Sequence, residues 1–423
     1  MGMIGRRRWL QMTALAAAFS LSGLRRAHSA PTAEKRRVVI VGAGFAGSAC
    51  ARHLRQLDAA IDVTLIDPLE RYTTCPMSNE VLVGLRALAS ITVSRPGTTR
   101  AGIRLLHARV EAIDPAARRV RLEGGQAVPF DRLVVAPGIR LLWNRIEGYD
   151  EAAAQIMPHA WQAGEQTQRL ARQLRAMDDG GVVAISVPSG LMRCPPAPYE
   201  RASLIARYLS QHKPRSKVLI FDANNRFPRQ DLFSDAWRSL YPGMIEWIAP
   251  TQDGTVVRVE PEHMKLYTGN AAHAVAVANI IPPQAPGRVA ADAGLASDHG
   301  WCPIAPGTFE SQLIPNVHVI GDACIADAMP KSASAAVSQA RQCARAIVAL
   351  LAGRELEPPT FDSVCYSLLG PQRAIAIRGH FTTQEGRIVA VEPALASPAA
   401  ASAQQAQEAQ RWYRRIRADA FGS

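Results

Sequence analysis

The 423-residue chain contains no Cys-x-x-Cys-His, so it attaches no c-type haem of its own. Charged residues make up only 20% against 48% hydrophobic, with Gly and Pro dispersed along the chain. That mixture excludes a disordered, collagenous or coiled-coil protein. Aromatics are scarce, at 6%, which argues against nucleic acid in spite of a net charge of +12. Long apolar runs are missing except for one near the N-terminus, Met12 to Leu24, which is shorter than the roughly 20 residues that cross a bilayer. Acidic residues are absent from the first 30 positions, which hold five Arg, and the remainder carries +7. Such a surplus suits an acidic partner or an anionic substrate. Cysteine is sparse but odd in number. Seven are too few for a disulfide scaffold and leave one without a mate.

The N-terminal run reads as an address. Gly5-Arg6-Arg7-Arg8-Trp9-Leu10-Gln11 precedes the apolar stretch, and Ala27-His28-Ser29-Ala30 offers a small-residue cleavage site. Two arginines, a spacer, an aromatic and Leu resemble a twin-arginine export signal over residues 1–30. That route moves folded proteins and implies a periplasmic destination for a chain that loads its cofactor first.

Beyond it, Val38-Val39-Ile40-Val41 is a β-branched run of the kind found in buried parallel strands. Gly42-Ala43-Gly44-Phe45-Ala46-Gly47 follows at once, then a helix pattern, then Val63-Thr64-Leu65-Ile66 ending at Asp67. This βαβ context turns a weak glycine pattern into a dinucleotide-binding signature. Gly42, Gly44 and Gly47 allow the turn and a close pyrophosphate, and Asp67 can accept from a ribose hydroxyl. Arg132 to Gly138 reads as a strand into a turn. Val317-His318-Val319-Ile320-Gly321-Asp322 repeats that form and leaves Asp322 at a strand end. In this order the elements resemble the FAD-binding halves of the glutathione-reductase-like disulfide oxidoreductases, in which the last Asp holds the ribityl chain.

The expected fold is therefore α/β with two Rossmann-like dinucleotide-binding folds and a C-terminal α+β interface domain. The FAD-binding domain takes residues 31–147 and 286–353, the second nucleotide fold 148–285, and the interface domain 354–423. The second fold opens with Val182-Val183-Ala184-Ile185-Ser186, but Val187-Pro188-Ser189-Gly190-Leu191-Met192-Arg193 stands where a nicotinamide binder has its glycines. Proline lacks the N–H that a phosphate cradle needs, so this fold is expected to have lost its NAD(P) site. Near the C-terminus, Glu392 to Gln410 reads as low complexity. Arg411-Trp412-Tyr413-Arg414-Arg415-Ile416-Arg417 reads as a basic helix, either a solvated cap or a partner-docking element.

Longer segments carry a sharper resemblance. Tyr72-Thr73-Thr74-Cys75-Pro76-Met77-Ser78-Asn79-Glu80, Arg193-Cys194-Pro195-Pro196-Ala197-Pro198-Tyr199-Glu200-Arg201 and Cys365-Tyr366-Ser367 are three of them. Pro158 to Gly164, Gly300-Trp301-Cys302-Pro303, Gly321-Asp322-Ala323-Cys324 and Met329-Pro330-Lys331-Ser332 are others. Together they resemble the flavoprotein subunit of flavocytochrome c sulfide dehydrogenase, over nearly the whole chain after Val38. The resemblance implies FAD, attached covalently through Cys75, with Gly138, Gly321, Asp322 and Lys331 among its contacts. It also implies a redox-active disulfide between Cys194 and Cys365, and Glu200 as an acid–base group beside it. A c-type cytochrome subunit would carry the haem and accept the electrons, sulfide would be the substrate, and no metal site is expected. Cys50, Cys302, Cys324 and Cys343 then read as small buried apolar residues. A sulfide:quinone oxidoreductase shares this fold and cysteine logic. A non-catalytic subunit that binds sulfane sulfur or stabilises a cytochrome is the reading from another class.

Overall fold

A computed structural model of the chain describes residues 36–391 and 400–422. The expected signal segment at 1–30 and residues 392–399 of the low-complexity stretch lie outside the described residues. The β-branched run forms the strand Arg37–Val41, central in a five-stranded sheet. Asp62–Ile66 and Arg104–Leu106 lie on one side of it, Arg132–Val135 and Val317–Val319 on the other, all parallel. Both faces are covered, so Val38, Ile40, Leu133 and Val134 are fully buried. The helices Phe45–Leu57 and Ala333–Leu351 pack together against this sheet.

Ile139–Leu141 pairs antiparallel with Gln284–Pro286, so the chain leaves the first sheet and returns to it side by side. Between these strands lies a second parallel sheet, ordered Ile245–Ile248, Lys217–Asp222, Val182–Val187, Val277–Ile280. The α/β class and both nucleotide folds are as the sequence predicts.

The C-terminal part is an antiparallel sheet of Thr360–Gly370, Arg373–Gln384 and Arg387–Ala390, followed by the helix Ala403–Phe421. That helix starts inside the stretch that reads as low complexity. Ala and Gln are strong helix formers, and the Ser402 hydroxyl caps the first turn by accepting from the Gln405 N–H at 3.2 Å. Its inner face, Trp412, Tyr413, Ile416 and Phe421, is buried. Tyr413 Oη lies 2.7 Å from Thr74 Oγ1, and Phe421 packs on Phe45 and Tyr72. The helix is therefore a cap whose outer face alone, with Arg411, Arg414 and Arg415, remains exposed. No helix among the described residues is long and apolar enough to cross a membrane.

Candidate active site

The glycine turn follows directly from its packing. Gly42 has φ +95°, and a Cβ there would lie 2.3 Å from the Ala136 carbonyl oxygen, so only glycine fits. Gly47 stands behind the turn, where a Cβ would meet the Gly42 carbonyl oxygen at 1.8 Å; it lets the helix close onto the strand. Asp67 Oδ2 accepts from the Ala43 N–H at 2.7 Å and Oδ1 from the Leu69 N–H at 2.9 Å. Arg95, its side chain wholly buried, approaches Asp67 Oδ1 at 3.4 Å. Arg95 also donates to the Ala43 carbonyl at 3.0 Å, clamping the turn from below. Nothing in the sequence singles out Arg95, because it stands alone between a short strand and a Pro.

Above the turn opens a cavity of about 530 Å³. Gly42, Gly44, Asp67, Cys75, Gly138, Cys194, Glu200, Gly321, Asp322 and Cys365, all expected in the site, line it. Lys331, also expected among the cofactor contacts, is not among the lining residues. Its ammonium turns the other way, donating to the carbonyls of Asp322 at 2.9 Å and Cys324 at 2.7 Å. It rests on the Trp301 ring, 3.8 Å from the centroid.

Whether the cavity suits a flavin dinucleotide is tested by its unpaired polar atoms. Asp322 Oδ1 and the indole N–H groups of Trp161 and Trp412 are buried with no protein partner, and all three residues line the cavity. Such orphaned groups are costly unless a ligand satisfies them. An acceptor at a strand end, a glycine turn at a helix N-terminus and two indole donors match a ribityl chain, a pyrophosphate and a polar ring edge. The residues fit the group.

Three non-glycine residues of the wall adopt left-handed backbone: Met77 at φ +68°, Ala160 at +44° and Cys194 at +51°. Each costs about 1 kcal/mol or more, and such strain collects at functional sites. Cys194 is held there by donating its N–H to the Lys331 carbonyl at 2.7 Å and accepting from the Ala197 N–H at 2.9 Å. It immediately precedes the helix Ala197–His212. Cys365 comes from the strand Thr360–Gly370, which packs on that helix. Both are free thiols here, as is Cys75. Burial raises the Cys194 thiol well above its ordinary pKa, and nearby Cys365 and Glu200 push it further. Burial also raises Cys365, against which the Ser332 and Ser363 hydroxyls donate to its sulfur.

Glu200 joins the two cysteine segments. Its Oε1 accepts from the Leu368 N–H at 3.0 Å and its Oε2 from Asn79 Nδ2 at 3.0 Å. It makes no ion pair among the described residues, and burial pushes its pKa up to about 7. The adjacent Arg201 is instead consumed by Asn79 Oδ1 at 3.0 Å, Asn279 Oδ1 at 2.7 Å and the Ala160 carbonyl at 2.7 Å. Arg193, whose guanidinium donates to the Trp161 carbonyl, is a cation of the wall that forms no ion pair among the described residues. Burial pulls its guanidinium pKa down, but the acidic groups of Cys75, Asp322, Tyr72 and Cys194 outweigh this and leave it raised. Cys75 follows the strand Arg71–Thr73, and its Sγ sits 3.7 Å from the Trp161 carbonyl oxygen.

The second nucleotide fold differs at the corresponding place. Asp222, at the end of its strand, is fully buried and accepts from Tyr199 Oη at 2.5 Å and Trp247 Nε1 at 2.8 Å. Tyr199 stacks on Phe227 with centroids 3.7 Å apart. The carboxylate that would meet a ribose is thus spent on aromatics.

Comparison with known proteins agrees with this geometry. The pattern described as "Sulfide dehydrogenase [flavocytochrome c] flavoprotein chain, central" matches residues 167–282, which hold Cys194 and Glu200. "Flavocytochrome c sulphide dehydrogenase, flavin-binding" matches 357–421, which hold Cys365 and Trp412. "Pyridine nucleotide-disulphide oxidoreductase" matches 36–182. The sulfide dehydrogenase [flavocytochrome c] flavoprotein chain of Chlorobaculum thiosulfatiphilum is 52% identical over 46 residues, 11% of this chain and 96% of the relative. The chain belongs to the flavocytochrome c sulfide dehydrogenase flavoprotein family. The family shares its fold with sulfide:quinone oxidoreductases. That of Mus musculus mitochondria is 20% identical over 82% of this chain and 78% of the relative. The structure from Aquifex aeolicus superposes with a TM-score of 0.72 at 19% identity, covering 91% and 92% of the two chains.

Proposed function

We propose that this flavoprotein chain is an FAD-dependent dehydrogenase that oxidises sulfide to sulfane sulfur and passes the electrons to a c-type cytochrome subunit. The observation that carries the reading is the convergence of Cys194, Cys365 and Glu200 on the cavity that also holds Asp322 and the Gly42 turn. In the oxidised protein Cys194 and Cys365 form a disulfide, an electrophile towards a soft anion. Sulfide attacks it, so that one cysteine becomes a persulfide and the other leaves as a thiolate. A second sulfide takes the outer sulfur as HSS⁻ and leaves one thiol and one thiolate. Loss of one proton and two electrons then restores the disulfide. Arg193 draws the anion in, and Glu200 holds or yields the proton beside both sulfurs. FAD, when bound, supplies two-electron acceptance followed by one-electron release, which a haem partner requires.

The direct test is anaerobic titration of the purified flavoprotein. Sulfide is expected to bleach the flavin stoichiometrically and NADH to leave it yellow, because Asp222 is occupied. Bleaching by NADH, or none by sulfide, defeats the reading. In steady state, cytochrome c is the expected acceptor and decylquinone is not. The basic cap helix supports this choice, since its apolar face is already buried and cannot lie on a membrane.

Cys75 is the proposed covalent anchor, bonded through its sulfur to the flavin 8α carbon. After acid denaturation the yellow chromophore should stay with the precipitated chain and move to the supernatant in Cys75→Ala. Free flavin from the parent protein would sink the linkage. Export by the twin-arginine route is likewise proposed, on Arg6-Arg7 and the run that follows. Replacing both with Lys should leave the full-length, flavin-loaded chain in the cytoplasm; unchanged periplasmic recovery would show another route.

A further inference from the structure

A second cavity, of about 270 Å³, opens at the carboxyl ends of Val182–Val187 and Lys217–Asp222. Open α/β sheets take their ligands in that crevice. Here the stacked Tyr199 and Phe227 occupy its depth, and the remaining space lies below the roughly 300–1,000 Å³ typical of cofactor sites. What remains abuts the redox cysteine. The segment that gives Arg193 and Cys194 to the flavin cavity gives Met192 and Pro195 to this one. The opposite wall ends in Lys331, whose carbonyl holds the Cys194 N–H.

The lining is apolar and cationic at once. Leu191, 59% exposed, forms the lip, with Met192, Phe227 and Met329 within. Lys331 and Arg226 belong to its lining and form no ion pair among the described residues. Lys331 spends two of its three N–H groups on carbonyls. The single carboxylate of the lining, Asp327, is taken by Arg387 at 3.4 Å and by the Ile388 N–H at 2.9 Å. Asp322, which lines the flavin cavity, offsets part of the Lys331 charge from behind the wall, so the cationic excess of the mouth rests on Arg226. A small site with thioether and aliphatic walls and a net positive lining selects a small, polarisable anion. A hard, strongly hydrated one gains nothing from such walls.

We infer that this cavity binds a short anionic sulfane-sulfur chain, the class of product released beside it at the Cys194–Cys365 pair. The inference rests on the sulfide-oxidising reading but is tested separately, with thiosulfate as the sulfane-sulfur anion and the flavin spectrum monitored to check that it stays oxidised. Equilibrium dialysis of the full-length holoenzyme against ³⁵S-thiosulfate should show one saturable site per chain. Leu191→Trp, which fills the lip, should weaken binding by about tenfold or more, equivalent to about 1.4 kcal/mol. Arg226→Gln, at the solvent-exposed mouth, should weaken it in the same direction, and FAD content checks that each variant is folded. Cys194→Ser should bind as the parent does, and sulfate should compete at least about tenfold more weakly than unlabelled thiosulfate. Absence of a site, equal binding by both cavity variants, or equal competition by sulfate overturns the assignment. So does binding lost in Cys194→Ser and kept in Leu191→Trp, which places the anion in the flavin cavity. Failure of sulfide to bleach the flavin would defeat the enzymatic reading alone and leave the dialysis result standing.

Discussion

Cys194→Ser is expected to reduce sulfide-dependent cytochrome c reduction by about 10³-fold or more, with FAD still bound. A hydroxyl cannot form the electrophilic bond that sulfide attacks, so the loss is of the reaction path and not of affinity. The substitution is also sterically mild. Serine keeps the N–H that donates to the Lys331 carbonyl and the carbonyl that accepts from Ala197, and it meets the same φ of +51°. Asp322, the Gly42 turn and Trp412, which line the same cavity, lie on other segments. Cys365→Ser should behave alike, and the double variant should lose no more than either single one, because the two sulfurs act as one unit. Stopped-flow bleaching by sulfide is the measurement. A Cys194→Ser protein that bleaches within about tenfold of the parent rate would refute the disulfide mechanism, whatever its cytochrome activity.

The parts of this site that could be read from sequence are those with local pattern. Gly42, Gly44, Gly47 and Asp67 sit within one βαβ unit, so spacing alone places them around a turn. Asp322 is legible as a polar residue ending a β-branched strand. Cys194 and Cys365 are different. They lie 171 positions apart in the sequence, and no periodicity brings them together. The structure does so because the hairpin strand Thr360–Gly370 packs on both Ala197–His212 and Ala333–Leu351. Before the structure, only resemblance to a family could pair them. Arg95 carries no local signal, and Trp161 and Trp412 lie in segments that pattern alone does not place at a cavity, since a lone Arg or Trp looks the same on a surface as beneath a cofactor. Lys331 is a related case: its carbonyl supports Cys194, while its ammonium is held by the Asp322 and Cys324 carbonyls, a placement no local pattern announces. The four remaining cysteines are buried, as expected, but they are not scattered. Cys302 and Cys324 face each other across a parallel bridge, and the Cys343 and Cys50 thiols are in contact between two packed helices. Long-range packing decides such neighbours, and the chain order conceals them.

Glu200→Gln is the second large effect, and its signature is in pH. Burial holds the Glu200 pKa at about 7, so the parent side chain is a proton donor below that pH and a carboxylate above it. Beside the Cys194–Cys365 pair a donor stabilises the departing thiolate, whereas a carboxylate opposes it. Gln keeps the acceptor for the Leu368 N–H but has no proton to give. Bleaching by sulfide should therefore slow by about 10²-fold below pH 7, the lower range for a positioned acid. The two proteins should converge above pH 7, where the parent has also lost its donor. Stability supplies an independent readout. The folded pKa lies above the ordinary value of 4.5, so the contribution of neutral Glu200 is complete below about 4.5 and is lost as pH rises through about 7. The parent should lose thermal stability across that window relative to Glu200→Gln, which has nothing to ionise. Parallel rate–pH profiles in the two proteins would remove Glu200 from proton transfer. A surviving difference in melting temperature alone would then leave it as a positioning residue that joins Asn79 to the Cys365 strand.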